Sequence, residues 1–374
     1  MRRLYLCPTL LHLFNCIVLE HSKDDHENAD LWLSDASDFT EKVEPLKQCG
    51  LFQHVHLLEI NDRLEQLKAL PEVEERREIM CHPLTYFTQV AAILDEDQVQ
   101  YDEMYCNLDS YLTKVIYYCF VERGMSMKVH FVNEGTASYA LDMDNTRIDW
   151  LPHESYGAAK FDQNIHDLWL YHPDLYTGGV KRLQLKQLPY SIQTDAGLQQ
   201  MLHMVFGHIS SFSQKVVFFE SCFMGDGILS NEMKLFQQIA NVVGKENIIV
   251  KRHPRNTIDR FTPMGYAVME NAYVPWEIML MDMDVSNKVL VSIASFTCLS
   301  PMEMYGKKTH ALLLEPLLLG RVYFLQSVAY KKFFAEAIRK FNEDKICIWR
   351  PETNEELTAV LQYLKMVVEE DGDQ

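Results

Sequence analysis

Leu4-Tyr-Leu-Cys7, Leu10-Leu-His-Leu-Phe-Asn-Cys-Ile-Val-Leu-Glu20 and Ala29-Asp-Leu-Trp-Leu33 open the chain as a short apolar run, a longer periodic run and a second short run. Short apolar runs suit strands buried on both faces, and the longer one suits a helix crossing between them, so this stretch reads as a βαβ unit of a parallel sheet. The alternation continues with a strand at Val55–Ile60, a charged helix over Asp62–Ile79 interrupted near Pro71, a helix over Tyr111–Arg123 and a strand over Ser126–Val132. From Thr146 to Ile192 the pattern is irregular, with Pro152, Pro173, Gly178-Gly179 and Pro189, which places a domain junction around residues 180–195. It then restarts: helix Gly197–Phe206, strand Lys215–Glu220, helix Asn231–Val243, strand Asn247–Lys251. Strands Lys288–Ser292, Thr309–Leu314 and Lys345–Trp349 follow, alternating with helices Cys298–Tyr305, Val328–Phe341 and Asn354–Val367. The expected fold is α/β with two Rossmann-like domains, 1–190 and 191–374, facing each other across a cleft, the last helix packing back on the first domain.

Composition agrees. At roughly 150 residues per domain, 374 residues make two domains, and 48% hydrophobic against 24% charged residues supply an ordinary large core, excluding a disordered chain. Thirty-five Lys and Arg against 53 Asp and Glu leave a net charge of −18, which repels phosphate backbones and argues against nucleic-acid binding. The nine cysteines show no C-x-x-C spacing and read as buried thiols in a reducing, cytoplasmic compartment. Met1-Arg-Arg before Leu4–Leu19 imitates a signal peptide, but Pro8, His12 and Asn15 break the run and Glu20–Asp25 is charged. No stretch approaches the roughly 20 apolar residues of a membrane span, so the expectation is a soluble chain able to lie peripherally at an inner membrane.

Three stretches carry candidate chemistry. In Asn247-Ile-Ile-Val-Lys-Arg-His-Pro-Arg255 a buried strand runs into Lys251, Arg252, His253 and Arg255, while Pro254 favours an extended or turning chain at His253. This sets an imidazole among cations at the carboxyl end of a strand, where open α/β sheets bind ligands, and suits a phosphate. His82-Pro83 and His172-Pro173 repeat the dipeptide, but the first opens a helix and the second lies in the irregular junction. Glu134 leaves the strand ending at Val132 and is followed by Gly135, which permits close backbone approach, so its carboxylate is a candidate general base. Asp226, in Ser221-Cys-Phe-Met-Gly-Asp-Gly227, is the rival. Val289-Leu-Val-Ser-Ile-Ala-Ser-Phe-Thr297 ends in hydroxyls before a helix, where Ser295 or Thr297 caps it and offers an anion site. Asp142-Met-Asp144 and Asp282-Met-Asp284 fit a D-x-D spacing and read as solvated surface; Trp150, Tyr156, Trp169 and Tyr171 are candidate sugar-stacking residues.

Asn133-Glu134-Gly135 with Tyr139, then Lys251-Arg-His-Pro254, then Ser292–Thr297, resemble in order the acidic-Gly, His-Pro and Ser/Thr motifs of bacterial sialyltransferases, the lipooligosaccharide and capsular polysialyltransferase families. Tyr273-Val-Pro-Trp-Glu277 is similar to a proline-and-glutamate element seen there. The pattern departs at Asn133, where the family carries a first acid. The resemblance implies a GT-B-like glycosyltransferase that moves sialic acid from CMP-sialic acid to a sugar hydroxyl, with inversion. Glu134 would take the acceptor proton, and His253 would hydrogen-bond or protonate the departing phosphate. Gly135, Lys251, Arg252, Pro254, Glu277, Ser292, Ser295 and Thr297 would bind the donor. It implies no metal and no cofactor. The implied partners are a nucleotide-sugar donor and an oligosaccharide or glycolipid acceptor, with room for a homodimer. Rival readings are a transferase using another cytidine-activated donor, such as a CDP-polyol, and a non-catalytic nucleotide- or glycan-binding protein.

Overall fold

The computed structural model describes residues 1–107, 110–141, 161–208, 211–270, 274–293, 295–320 and 322–370. The chain forms two compact units, Met1–Phe206 and Gly207–Gln374. The division falls after Phe206 rather than at 190/191, because the helix Ala196–Phe206 packs on the helix Leu10–His21, with Phe206 beside Phe14 and Asp195 paired to His21.

In the first unit seven parallel strands, β1 (Arg3–Cys7), β2 (Ala29–Ser34), β3 (His54–Leu58), β4 (Glu103–Cys106), β5 (Lys128–Val132), β6 (Ile165–Leu170) and β7 (Gln184–Gln187), lie in the order β3-β2-β1-β4-β5-β6-β7. Every neighbouring pair is parallel, and Arg3 faces Ala29 on one side and Glu103 on the other. The strand order reverses between β1 and β4, so the crevice outside their carboxyl ends is the natural ligand position. The helix Leu10–His21 starts where Thr9 Oγ1 accepts the amide of His12. The residues that interrupt its apolar run are spent inside the fold. Asn15, almost wholly buried, donates to the Asn133 carbonyl at 2.7 Å and accepts the Tyr171 hydroxyl at 2.8 Å.

β4, β6 and β7 are not legible as strands in the sequence. β6 carries Asp167, whose buried carboxylate meets His130 Nδ1 at 2.7 Å and Lys186 at 2.5 Å; this cross-strand pairing lets a polar residue sit in the sheet. Trp169 and Tyr171, expected to offer a stacking platform, belong to this packing: Lys186 lies over the Trp169 ring and Tyr171 is fully buried. Trp150, Tyr156, Tyr273 and Asp142-Met-Asp144 lie outside the described residues.

The second unit repeats the design with β8 (Val216–Phe219), β9 (Ile248–Lys251), β10 (Ala267–Val268), β11 (Val289–Ser292), β12 (His310–Leu313) and β13 (Ile348–Trp349) in the order β10-β9-β8-β11-β12-β13, again all parallel. Its order reverses between β8 and β11. The last helix, Asn354–Glu370, lays Leu357, Leu361 and Leu364 into this unit's core and packs on the helix Glu232–Val243. Both units are thus Rossmann-like, as the alternation predicts. Among the described residues no helix is long and apolar enough to cross a membrane.

Candidate functional site

In the first unit the site is built on the turn after β5. Asn133 Oδ1 accepts the Gly135 amide at 2.6 Å, folding the chain back on itself, and Gly135 takes φ 118° and ψ −155°, a region open essentially to glycine. This turn aims Glu134 outward from the strand end. Its amide donates to Ser138 Oγ at 3.0 Å and its carboxylate accepts Asn107 Nδ2 at 2.7 Å. Asn107 follows β4 and is itself held by Thr113, which donates to its Oδ1 at 3.2 Å. Glu134 is therefore a half-buried carboxylate with one oxygen fixed by an amide, at the carboxyl end of the strand next to the point where the strand order reverses. Asn133 supplies the turn instead of a second acid, and sequence reasoning missed Asn107.

In the second unit three loops converge. Glu220, directly after β8, accepts the backbone amide of His253 at 3.1 Å and pairs with Arg260 at 2.7 Å. Arg260 also reaches Glu232 at 2.8 Å, whose other oxygen accepts the Ser221 amide at 2.7 Å. Asn256 bridges the same loops, donating to the Ser221 carbonyl and accepting the Gly225 amide, both at 2.8 Å. A side chain at Gly225 would stand 2.5 Å from the Arg255 carbonyl, which is why glycine sits there. Replacing Arg260 with alanine leaves two buried carboxylates facing each other without their cation. The expected cost is about 3–5 kcal/mol, read as a lower urea midpoint, whereas Arg339→Ala on the exposed helix face should change stability by less than about 0.5 kcal/mol.

This scaffold fixes the chemistry of His253. The Arg255 amide donates to His253 Nδ1 at 3.2 Å, so the neutral ring carries its proton on Nε2 and offers it as a donor. Burial first, then the neighbouring Arg255, hold its pKa down to about 4. With that pKa the unliganded ring is neutral at neutral pH and presents Nε2–H as a hydrogen-bond donor. Burial brings the Lys251 ammonium down to about 8, with Glu277 opposing the shift, and the ammonium donates to the Val274 carbonyl at 2.9 Å. Among the described residues Arg252 forms no ion pair; one guanidinium nitrogen donates to the Asn256 carbonyl and Nε is buried without a partner. A cavity of about 420 Å³ lies here, lined by Arg252, His253, Pro254, Asn256, Asp259 and Glu270 among others.

The remaining candidates divide. Ser292 ends β11 and Ser295 and Thr297 follow it, and with β8 between β9 and β11 the two strand ends are roughly 10 Å apart at ~4.8 Å per strand. Their hydroxyls are partly committed to one another: Ser295 Oγ donates to Thr297 Oγ1 at 2.8 Å, and Ser292 Oγ accepts the Ser295 amide at 3.1 Å. Ser295 Oγ accepts the Thr297 amide at 3.3 Å, so it caps a 3₁₀ turn and not the α-helix. Phe296–Cys298 is a single 3₁₀ turn and the α-helix begins only at Ser300, so Ser295 and Thr297 shape a loop. Glu277 is buried, accepts Ser300 Oγ at 2.8 Å, and is pushed up by burial; it braces two helices and does not line the cavity. Asp226, the rival base, is paired with Arg255 at 2.8 Å, in the same unit as His253. Asp282 and Asp284 are exposed, as expected of solvated surface.

No family model matches the sequence, and no curated protein matches it significantly. Among solved structures the chain is similar to apo UGT2 of Phytolacca americana, with 13% identity over 100% of this chain and 94% of that one at a TM-score of 0.48. It is similar to a UDP-glucosyltransferase of Polygonum tinctorium, with 11% identity over 99% and 93% and a TM-score of 0.47. A UDP-GlcNAc 2-epimerase of Methanocaldococcus jannaschii aligns at 10% identity over 97% and 100% with a TM-score of 0.46.

Proposed function

We propose that the chain is an inverting glycosyltransferase that moves sialic acid from CMP-sialic acid to a sugar hydroxyl, a galactoside of a bacterial surface glycan. The observation that carries this reading is the placement of complementary groups at the carboxyl ends of two parallel sheets. One sheet ends in a carboxylate with an oxygen fixed by Asn107, and the other in an imidazole whose donor nitrogen is set by the Arg255 amide beside Lys251 and Arg252. The ordered resemblance of Glu134-Gly135, His253-Pro254 and Ser292–Thr297 to the sialyltransferase motifs selects the donor.

In the proposed reaction Glu134 takes the proton of the acceptor hydroxyl while its oxygen bonds the anomeric carbon. The bond from that carbon to the phosphate oxygen breaks, and its electron pair leaves with cytidine monophosphate. His253 Nε2–H donates to a phosphate oxygen, Lys251 and Arg252 balance its charge, and Ser295 and Thr297 add hydroxyl donors. Gly135 and Pro254 set the two turns, Glu277 braces two helices of the second unit, and Ser292 braces the loop that carries Ser295. The leaving group is a monophosphate, so the steps as written use no metal.

Incubating the purified chain with CMP-sialic acid and a panel of galactosides tests the reading, and sialylated product is the expected outcome. Turnover of a CDP-polyol with CMP-sialic acid left intact would transfer the same site to the other cytidine-activated donor. Tight CMP binding with no transfer to any acceptor would make the chain a binding protein.

A further inference from the structure

The first unit holds a second cluster that the transfer chemistry does not use. Cys7 ends β1, and His12 and Cys16 stand one turn apart on the helix Leu10–His21, on the same face. All three residues are fully buried. One ligand atom from each lies within 4.8 Å of the other two, and Cys16 Sγ is 3.6 Å from His12 Nε2. A tetrahedral ion with sulfur at about 2.3 Å and nitrogen at about 2.0–2.1 Å holds those two ligand atoms about 3.6 Å apart.

We propose that Cys7, His12 and Cys16 form a binding site for a soft divalent cation, with Zn²⁺ the best fit, which ties β1 to its crossover helix. The donor set argues for it. Two thiolates and a neutral imidazole select zinc over magnesium or calcium, and two negative charges cancel those of the ion, so the loaded site is neutral and tolerates complete burial. Three protein ligands leave one tetrahedral position for water or a further donor. The site belongs to the first unit and supplies no step of the proposed transfer; its role is to hold the strand and helix that flank the Asn107 and Glu134 turns.

The test uses the full chain purified in reducing buffer without chelator, with bound metal measured by mass spectrometry and cobalt added as a spectroscopic probe. About one zinc per chain is expected, as for a folding-coupled site. Cobalt loading should give tetrahedral visible bands and a thiolate charge-transfer band. Cys7→Ser and Cys16→Ser should each lower metal content by roughly tenfold or more, while Cys119→Ser, an equally buried thiol of the same unit, keeps it. If the serine variants fail to fold, as circular dichroism would reveal, the wild-type chain decides: removal of its zinc by a chelator should lower its Tm. A wild-type chain with neither metal nor cobalt bands overturns the proposal, as does metal content undiminished in the folded serine variants or a Cys7–Cys16 disulfide in the purified protein. None of these readouts depends on turnover, so failure of the metal site and failure of the transferase reading are separable.

Discussion

Glu134→Gln is expected to lower kcat for sugar transfer by about 10²–10⁴-fold, with the fold intact. The substitution keeps size and hydrogen bonding: a glutamine carbonyl still accepts Asn107 Nδ2, and the backbone bond from residue 134 to Ser138 does not involve the side chain. The negative charge and the ability to take a proton are lost. A folded Glu134→Gln chain with near wild-type kcat removes Glu134 from the mechanism, and Asp226→Asn then becomes the variant to compare. Asp226 starts at a disadvantage, because its carboxylate is already paired with Arg255.

His253→Ala should lower kcat by about 10²–10³-fold, the loss that follows removal of one pre-aligned donor to a developing oxyanion. Its pH behaviour distinguishes this role from acid catalysis. The folded ring titrates near 4, below the ordinary value of about 6.5. Between those values the unfolded chain binds the extra proton and the folded chain does not, so the protein loses stability as pH falls from about 6.5 towards 4. His253→Ala removes that contribution to acid sensitivity. In the wild type any break in kcat/KM due to His253 belongs near 4, and a break near 6.5 that vanishes in His253→Ala would show that the free enzyme uses an imidazolium.

Much of the fold is legible in the sequence because parallel strands buried on both faces read as unbroken apolar runs. β1, β2, β5, β8, β9 and β11 announce themselves in this way, and the helix Val328–Phe341 has the bounds its pattern predicts. β4 and β6 do not, because Glu103 and Asp167 put carboxylates into the sheet. The latter is stabilised by His130 and Lys186, partners brought in from neighbouring strands. The same limit applies at the site. Glu134 and His253 stand out because Gly135 and Pro254 mark the turns locally. Asn107, Arg260 and Glu232 do not, because what makes them matter is a contact across strands or loops. Nor does any C-x-x-C spacing mark Cys7, His12 and Cys16, whose proximity depends on a strand meeting its own crossover helix.

The proposed mechanism rests on a division of labour between the two sheet ends, with proton removal on the first unit and phosphate holding on the second. Calorimetric titration of CMP onto the wild type, Glu134→Gln and His253→Ala separates the two roles without requiring turnover. The wild type should bind CMP, Glu134→Gln should bind it equally well, and His253→Ala should bind it at least about tenfold more weakly, one tenfold step being 1.4 kcal/mol. A wild-type chain that does not bind CMP, or a loss of CMP affinity in Glu134→Gln and not in His253→Ala, would contradict that division.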